Sequence, residues 1–152
     1  MADRVKPYRA SVKYWLLSTD PEDYSYDDLD ADGSTVWDGI TDYVDLKNLR
    51  DMDKGDLALI FETGAEPAVV GLATIASDPY PDPEQGDATV YVVDVEPEQW
   101  FEEPVRLADF QDDPAFQELD FLNAPERGVV SVPEPLWNRI LEMGRVPAEE
   151  RV

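Results

Sequence analysis

The chain lacks the two residue types that most often carry catalysis and transition-metal binding, because it contains no histidine and no cysteine. A Ser–His–Asp triad, a Cys–His pair and a zinc site of the usual Cys/His type are therefore excluded. The eight glycines never form the GxGxxG or phosphate-loop spacing that cradles nucleotide phosphates. We therefore expect no catalytic residues, no cofactor and a binding function.

One acidic segment resembles the first half of a calcium-binding loop. Residues 28–33 read DLDADG, with acids at alternate positions before a glycine. The twelfth position of such a loop should be a bidentate glutamate, and here it is Gly39. A solvated acidic turn is the better interpretation in so acidic a chain, and we predict no metal site.

Paired carboxylates offer one remaining route to catalysis, since two acids can carry out acid–base hydrolysis. With 35 acids in 152 residues, closeness of two acids in the sequence is uninformative. A carboxylate hydrolase is kept as a third hypothesis, which only an isolated acid pair in a cleft would favour.

The aromatic residues are more informative than the acids. Trp37 lies in the segment VWDGI beside Gly39, between two predicted helices, where a strand end meets a loop. An aromatic wall with a few fixed polar groups suits a flat ring such as a nucleobase. For the other aromatic residues of the predicted elements, core packing is the expected role: Tyr14, Trp15, Tyr43, Phe61, Trp100 and Trp137.

The elements that must position these residues begin with a strand predicted over residues 12–18. Ser25 and Asp28 have the spacing of a capping box, which predicts a short helix ending near Gly33. Residues 35–40 form a brief extended segment. A second helix of about three turns starts at Asp42, with Tyr43, Leu46, Leu49 and Met52 as its apolar face.

The second half of the chain is richer in strands. Residues 57–63 and 68–76 are apolar on both faces and are joined by a short Gly64 loop, which predicts two central antiparallel strands. Gly71 inside the second strand indicates a bulge or a close approach by another group. Further predicted elements are a strand at 88–100, helical turns at 106–110 and 113–119, a strand at 128–132, and a helix at 135–143 that Gly144 ends.

These elements predict one α+β domain over residues 12–144, with a curled or closed, mostly antiparallel sheet and short flanking helices. Residues 1–11 and 145–152 are predicted tails.

The net charge of −23 is spread from Asp3 to Glu150, and only four lysines occur. We interpret this surface as adapted to molar salt, which screens the self-repulsion of the acids. The first 11 residues lack a signal peptide's apolar stretch, and no window approaches 18 apolar residues, so a cytoplasmic protein is expected.

Several spaced motifs resemble the EVE-domain family. They comprise YWLLSTDPEDYSYDDL at 14–29, WDGITDYVDLKNLRDMDKGDLALIF at 37–61, VVGLATIASDPYPDP at 69–83, VYVVDV at 90–95 and WNRILEMG at 137–144. The resemblance implies a PUA-like curled β-barrel with flanking short helices. It also implies a pocket for a nucleobase, expected to be a modified base of DNA or RNA flipped from its strand.

Carried over by position, the resemblance implies a ligand-binding set in which Trp37 walls the ring while Ser18 and backbone groups near Gly39 bond its edge. The full set is Ser18, Trp37, Gly39, Ile40 and Tyr43, with Phe61 and Ser131 as weaker members. A small-molecule or protein-partner module on the same fold is the alternative, favoured by the acidic surface. Clustering of Arg50, Arg106, Arg127 and Arg139 around one cleft would favour nucleic acid.

Overall fold

The structure, a computed structural model, describes residues 12–86, 89–117 and 127–146. The predicted N-terminal tail and residues 147–152 of the predicted C-terminal tail lie outside this part of the chain. In chain order the elements are β1 (Tyr14–Thr19), α1 (Tyr26–Asp32), β2 (Thr35–Trp37), α2 (Tyr43–Arg50), β3 (Leu57–Glu62), β4 (Ala68–Ile75), β5 (Tyr80–Pro81), β6 (Tyr91–Arg106), α3 (Leu107–Gln111), a 3-10 helix (Pro114–Phe116), β7 (Val129–Ser131) and α4 (Glu134–Met143).

The strands form one curled, mixed sheet in the order β2–β6–β4–β3–β1–β7, with β5 paired to β6. All pairs are antiparallel except β1 with β3. The expected curled, mostly antiparallel sheet with short flanking helices is therefore confirmed, as a half-barrel. The two predicted central strands, β3 and β4, pair antiparallel across the Gly64 loop. The parallel pairing of β1 with β3 was not predicted, and α1, β2 and α2 carry the chain between these two strands.

The central strands are buried on both faces because a separate hydrophobic cluster covers each face. Alternate residues point to opposite sides of a strand. Thus Leu16 and Leu59 join the cluster that contains Trp137 of α4, whereas Leu17 and Ile60 join the cluster that contains Leu49 of α2. The helices α1 and α2 therefore lie on the face opposite α3 and α4.

Helix α1 begins as its sequence predicts. The Ser25 side chain accepts from the Asp28 N–H, and the Asp28 side chain accepts from the Ser25 N–H. Gly33 ends the helix with a φ of 77°, in the left-handed region that glycine favours. The DLDADG acids consequently lie on a helix and cannot wrap a cation as a calcium loop would. Among the described residues, no group of acids is arranged to hold a metal ion.

Helix α2 has the predicted cap, but only part of its predicted apolar face is buried. Asp42 accepts from the N–H groups of Val44 and Asp45. The helix has 8 residues, fewer than the three turns expected, and it buries Asp45 and Leu49. A three-residue spacing turns back by about 60° per step, so an apolar series at that spacing drifts around the helix. This drift leaves Tyr43 80% exposed while Met52 is buried.

Two glycines allow close packing of α1 and α4. A Cβ on Gly71 would lie 2.4 Å from Cζ of Tyr26, and the β4–β6 register shifts between Val69 and Gly71, so the expected bulge and close approach are both present. A Cβ on Gly144 would clash in the same way with the Phe101 ring.

Val146, placed in the tail by the predicted boundary, packs into the core. No helix in the described ranges is long and apolar enough to span a membrane.

Candidate functional site

A cleft of about 620 Å³ opens where the end of β1 approaches β2 and the segment that follows it. Ligand pockets of small molecules usually occupy about 300–1,000 Å³, so a base or nucleoside fits this volume. The turn between β1 and α1 forms one side, and residues 35–40 form the other. The lining residues are Ser18, Thr19, Asp20, Asp23, Tyr24, Thr35, Val36, Trp37, Asp38, Gly39 and Ile40.

The β1 side of the cleft is fixed by hydrogen bonds to the segment before β7. The Ser18 hydroxyl donates to the Arg127 carbonyl at 2.9 Å, and the Ser18 N–H donates to the Gly128 carbonyl at 3.0 Å. On the other side of this segment, Asp45 of α2 accepts from the Gly128 N–H at 3.0 Å and the Val129 N–H at 3.3 Å. Asp45 therefore ties α2 to the wall of the cleft.

The Arg127 side chain is engaged at the start of α2. It donates to Asp42 at 2.7 Å and to Asp45 at 3.4 Å. The Asp45 N–H and the Arg127 guanidinium hold the pKa of Asp42 below its usual range. Arg127 thus contributes its carbonyl to the Ser18 contact, while its charge is directed at two carboxylates.

Two aromatic residues line the cleft, Tyr24 from the turn side and Trp37 from the 35–40 side. Their ring centroids lie 6.4 Å apart at 85°, an edge-to-face contact. The Tyr24 hydroxyl donates to Asp32 at 2.8 Å, and partial burial raises the pKa of Tyr24. Trp37 is 6% exposed, so a ligand in the cleft meets only a small part of its ring.

The rim of the cleft is acidic. Asp20, Asp23 and Asp38 all line it and are exposed, and none of its lining residues is a lysine or arginine. Carboxylates accept hydrogen bonds from amino and imino groups and repel phosphate. The cleft is therefore suited to a ligand edge that donates hydrogen bonds. All three acids are exposed, whereas the acid pair of a hydrolase usually lies in a secluded cleft.

Four of the seven ligand-binding residues expected from the sequence come together in this cleft: Ser18, Trp37, Gly39 and Ile40. The other three lie elsewhere. Tyr43 lines a second cleft beside α2. Phe61 is 1% exposed and packs in the core cluster that contains α4 residues, so its side chain cannot reach a ligand.

Ser131 is exposed but lies along the sheet from the cleft. It pairs in register with Trp15, three residues before Ser18, which is a separation of about 10 Å along the strand.

The four arginines also fail to form the cluster that would favour nucleic acid. Arg50 lines the second cleft, Arg106 a third cleft, and Arg139 contacts Asp113 at 2.6 Å.

The turn after β1 supplies three lining residues that were not predicted from the sequence. Asp20, Asp23 and Tyr24 belong to the TDPEDY segment, which the sequence identifies only as a turn. Its position directly after Ser18 was the available signal, because binding residues often lie on loops at strand ends.

Comparison with known proteins identifies the family. The EVE domain sequence profile matches residues 13–143. Thymocyte nuclear protein 1 of chicken is 33% identical over 86 residues, which are 49% of this chain and 36% of that protein. The human protein of the same name is 32% identical over 81 residues, which are 45% of this chain and 36% of that protein. The matched segment spans only about a third of these relatives.

Solved structures share the fold across nearly the whole chain. A protein of Rhodopseudomonas palustris has a TM-score of 0.85 at 24% identity, covering 92% of this chain and 99% of that one. Human THYN1 in complex with DNA containing 5-methylcytosine has a TM-score of 0.81 at 20% identity, covering 90% and 99%. At these identities the similarity shows the fold.

Proposed function

This chain belongs to the EVE-domain family, and we propose that it is a non-catalytic module that binds a modified nucleobase of DNA or RNA in the cleft between β1 and β2. The observation that carries the proposal is that cleft, in which the Trp37 and Tyr24 rings meet edge to face and Ser18 is among the lining residues. Human THYN1, which shares the fold, binds DNA containing 5-methylcytosine.

The chemistry of the rim favours a base with an amino group. Asp and Glu side chains accept from the N4 amino group of cytosine. Asp20, Asp23 and Asp38 supply such acceptors, and their charge repels the phosphates that accompany the base. The base is therefore expected to enter alone, flipped from its strand, with its backbone outside the acidic rim.

An amine-bearing small molecule with no nucleic-acid attachment is the second candidate. The same three carboxylates favour it, and so does the net charge of −23, which opposes binding of a polyanion. A ligand of this kind would use the cleft without any contact outside it.

Tryptophan fluorescence separates these functions. We expect 5-methyl-2′-deoxycytidine to change the emission of the wild-type protein saturably in about 2 M KCl, where charge repulsion is screened. The change should persist in Trp100→Phe, whose indole is 42% exposed outside the cleft, and disappear in Trp37→Phe. Unmodified 2′-deoxycytidine should bind about fourfold more weakly, because one buried methyl group is worth about 0.8 kcal/mol.

No response to any nucleoside from folded protein would contradict the base-binding function and leave the amine-bearing small molecule. Equal loss of the response in both tryptophan variants would contradict the position of the site.

The cellular setting is proposed on the charge alone. An excess of 35 acids over 12 basic residues, with four lysines in all, supports a cytoplasm of molar salt.

A further inference from the structure

A second cleft, of about 660 Å³, lies beside the first and has the opposite charge character. Its lining includes Thr41, Tyr43, Lys47, Arg50 and Asp51. Ile40 lines the first cleft and Thr41 lines the second, so the two clefts meet at consecutive residues. The segment 40–41 therefore contributes to both clefts.

The cations of the second cleft lie on one face of α2. Tyr43, Lys47 and Arg50 follow the spacing of four and three residues that aligns side chains along a helix. The Arg50 guanidinium lies 4.5 Å from the centroid of the Tyr91 ring, which orients it without neutralising it.

Three other cations of the described ranges, Lys13, Arg127 and Arg139, are held closely by acids. Lys13 contacts Asp53 at 2.6 Å, and Arg127 contacts Asp42 at 2.7 Å. By contrast, Lys47 is 3.9 Å from Asp51, and both side chains are more than 60% exposed, so this pair is weak. Lys47 and Arg50 are thus positioned for an external anion in a chain that is otherwise strongly acidic.

Tyr43 supplies an open aromatic surface in the same cleft. It is 80% exposed, and neither described core cluster includes it. Exposed rings beside cations are the arrangement that binds single-stranded nucleic acid, since each base has a face that can stack.

We propose that the second cleft binds the nucleotide next to the base held in the first cleft, with Lys47 and Arg50 contacting its phosphate and Tyr43 stacking on its base. The inference rests on the proposed function and deepens it. It makes the ligand an unpaired stretch of at least two nucleotides, guided by repulsion from Asp20, Asp23 and Asp38 and attraction to α2.

Three ligands test this inference by calorimetry in about 0.5 M KCl, where the Debye length is about 4 Å and direct contacts persist. They are 5-methyl-2′-deoxycytidine, a trinucleotide with 5-methylcytosine between two thymidines, and the same trinucleotide with uncharged methylphosphonate linkages. We expect the phosphodiester trinucleotide to bind about tenfold more tightly than the nucleoside. The methylphosphonate form should bind about fivefold more weakly than the phosphodiester form.

Variants assign the gain to residues. Lys47→Gln and Arg50→Gln should each weaken the phosphodiester trinucleotide by about threefold to fivefold and leave the nucleoside unchanged. Tyr43→Ala should weaken both trinucleotides and again spare the nucleoside. Arg139→Gln is the matched control, since it removes one cation on the opposite face of the sheet and should change none of these affinities.

Equal affinities for the charged and uncharged trinucleotides, with no effect of the Lys47 and Arg50 variants, would overturn this inference while nucleoside binding left the proposed function intact. Failure of all three ligands to bind folded protein would overturn both.

Discussion

At the scale of single residues, the buried carboxylate of Asp56 accepts hydrogen bonds from three neighbouring donors. It is 2% exposed and accepts from the Trp15 indole at 3.0 Å, the Lys13 N–H at 3.1 Å and the Asp53 N–H at 2.9 Å. These bonds join the start of β1 to the turn before β3. A buried donor that loses its acceptor costs about 1–3 kcal/mol.

Asp56→Ala should therefore lower the free energy of unfolding by about 3 kcal/mol, as measured by urea denaturation at a fixed KCl concentration. Asp53→Ala is the control. It removes only the partly exposed ion pair with Lys13 and should cost less than about 1 kcal/mol. Equal costs for the two variants would contradict the structural role of Asp56.

Gly71 gives a second prediction at this scale. The Tyr26 ring that faces it is 1% exposed, and its hydroxyl donates to the Leu72 carbonyl at 2.7 Å, so the ring cannot move aside. Burial also raises the pKa of Tyr26 to about 12, which keeps this donor protonated. Gly71→Ala should destabilise the protein by about 2–3 kcal/mol.

A double-mutant cycle checks the cause. If the clash with Tyr26 is responsible, Gly71→Ala combined with Tyr26→Leu should cost clearly less than the sum of the two single changes. Strict additivity would place the cost in the backbone of β4.

At the scale of elements, the hydrogen bonds between α2 and the segment that leads into β7 link the core to the candidate cleft. Asp45 bonds the N–H groups of Gly128 and Val129, and the Asn48 amide donates to the Val129 carbonyl at 2.9 Å. Ser18 is bonded to the same segment from the other side. The position of Ser18 in the cleft therefore depends on α2, because Asp45 of that helix holds the segment to which Ser18 is bonded. Asp45 itself does not line the cleft.

We expect Asp45→Ala to cost about 2–3 kcal/mol of unfolding free energy, because two main-chain donors lose their acceptor. It should also weaken nucleoside binding in protein that is still folded. Asp51→Ala, on the exposed side of the same region, should cost under about 0.5 kcal/mol. Normal nucleoside affinity in folded Asp45→Ala would contradict the link between α2 and the cleft.

Local signals in the sequence predict helix starts and close approaches well, because each of these positions requires a particular type of residue. The Ser25–Asp28 capping box, the Asp42 cap and the Gly71 approach are examples. On α2 the predicted burial of Leu49 is correct, but the burial of Asp45 was not predicted, because its partners lie 82 to 84 residues away in the chain. No local pattern encodes such partners.

The candidate site shows the same division. The family resemblance correctly grouped Ser18, Trp37, Gly39 and Ile40, which line one cleft. These residues belong to β1, to β2 or to the segment directly after β2. The resemblance could not separate Tyr43 into a neighbouring cleft or bury Phe61, because both outcomes depend on how α2 and β3 pack.

At the scale of the whole molecule, the net charge should make the stability of the fold depend on salt concentration. The net charge of −23 on 152 residues is distributed along the chain, so repulsion should weaken the folded state at low salt. We expect the midpoint of thermal unfolding to rise by more than about 10 °C between 0.1 M and 2 M KCl, as the Debye length falls below about 3 Å.

A variant with Glu66, Glu102, Glu103 and Glu142 all changed to Gln provides the control, because these acids are exposed. It should be more stable than the wild type at low salt and respond less to KCl. A midpoint that does not change with KCl would contradict adaptation to molar salt.

The most direct test of the central claim is to map nucleoside contacts by amide NMR in about 2 M KCl, where screening keeps so acidic a chain folded. We expect 5-methyl-2′-deoxycytidine to shift the amide signals of Ser18 and of Trp37, Gly39 and Ile40, while those of Tyr43 and Lys47 stay in place. Shifts confined to α2, or none at all from a folded protein, would contradict a base-binding cleft between β1 and β2.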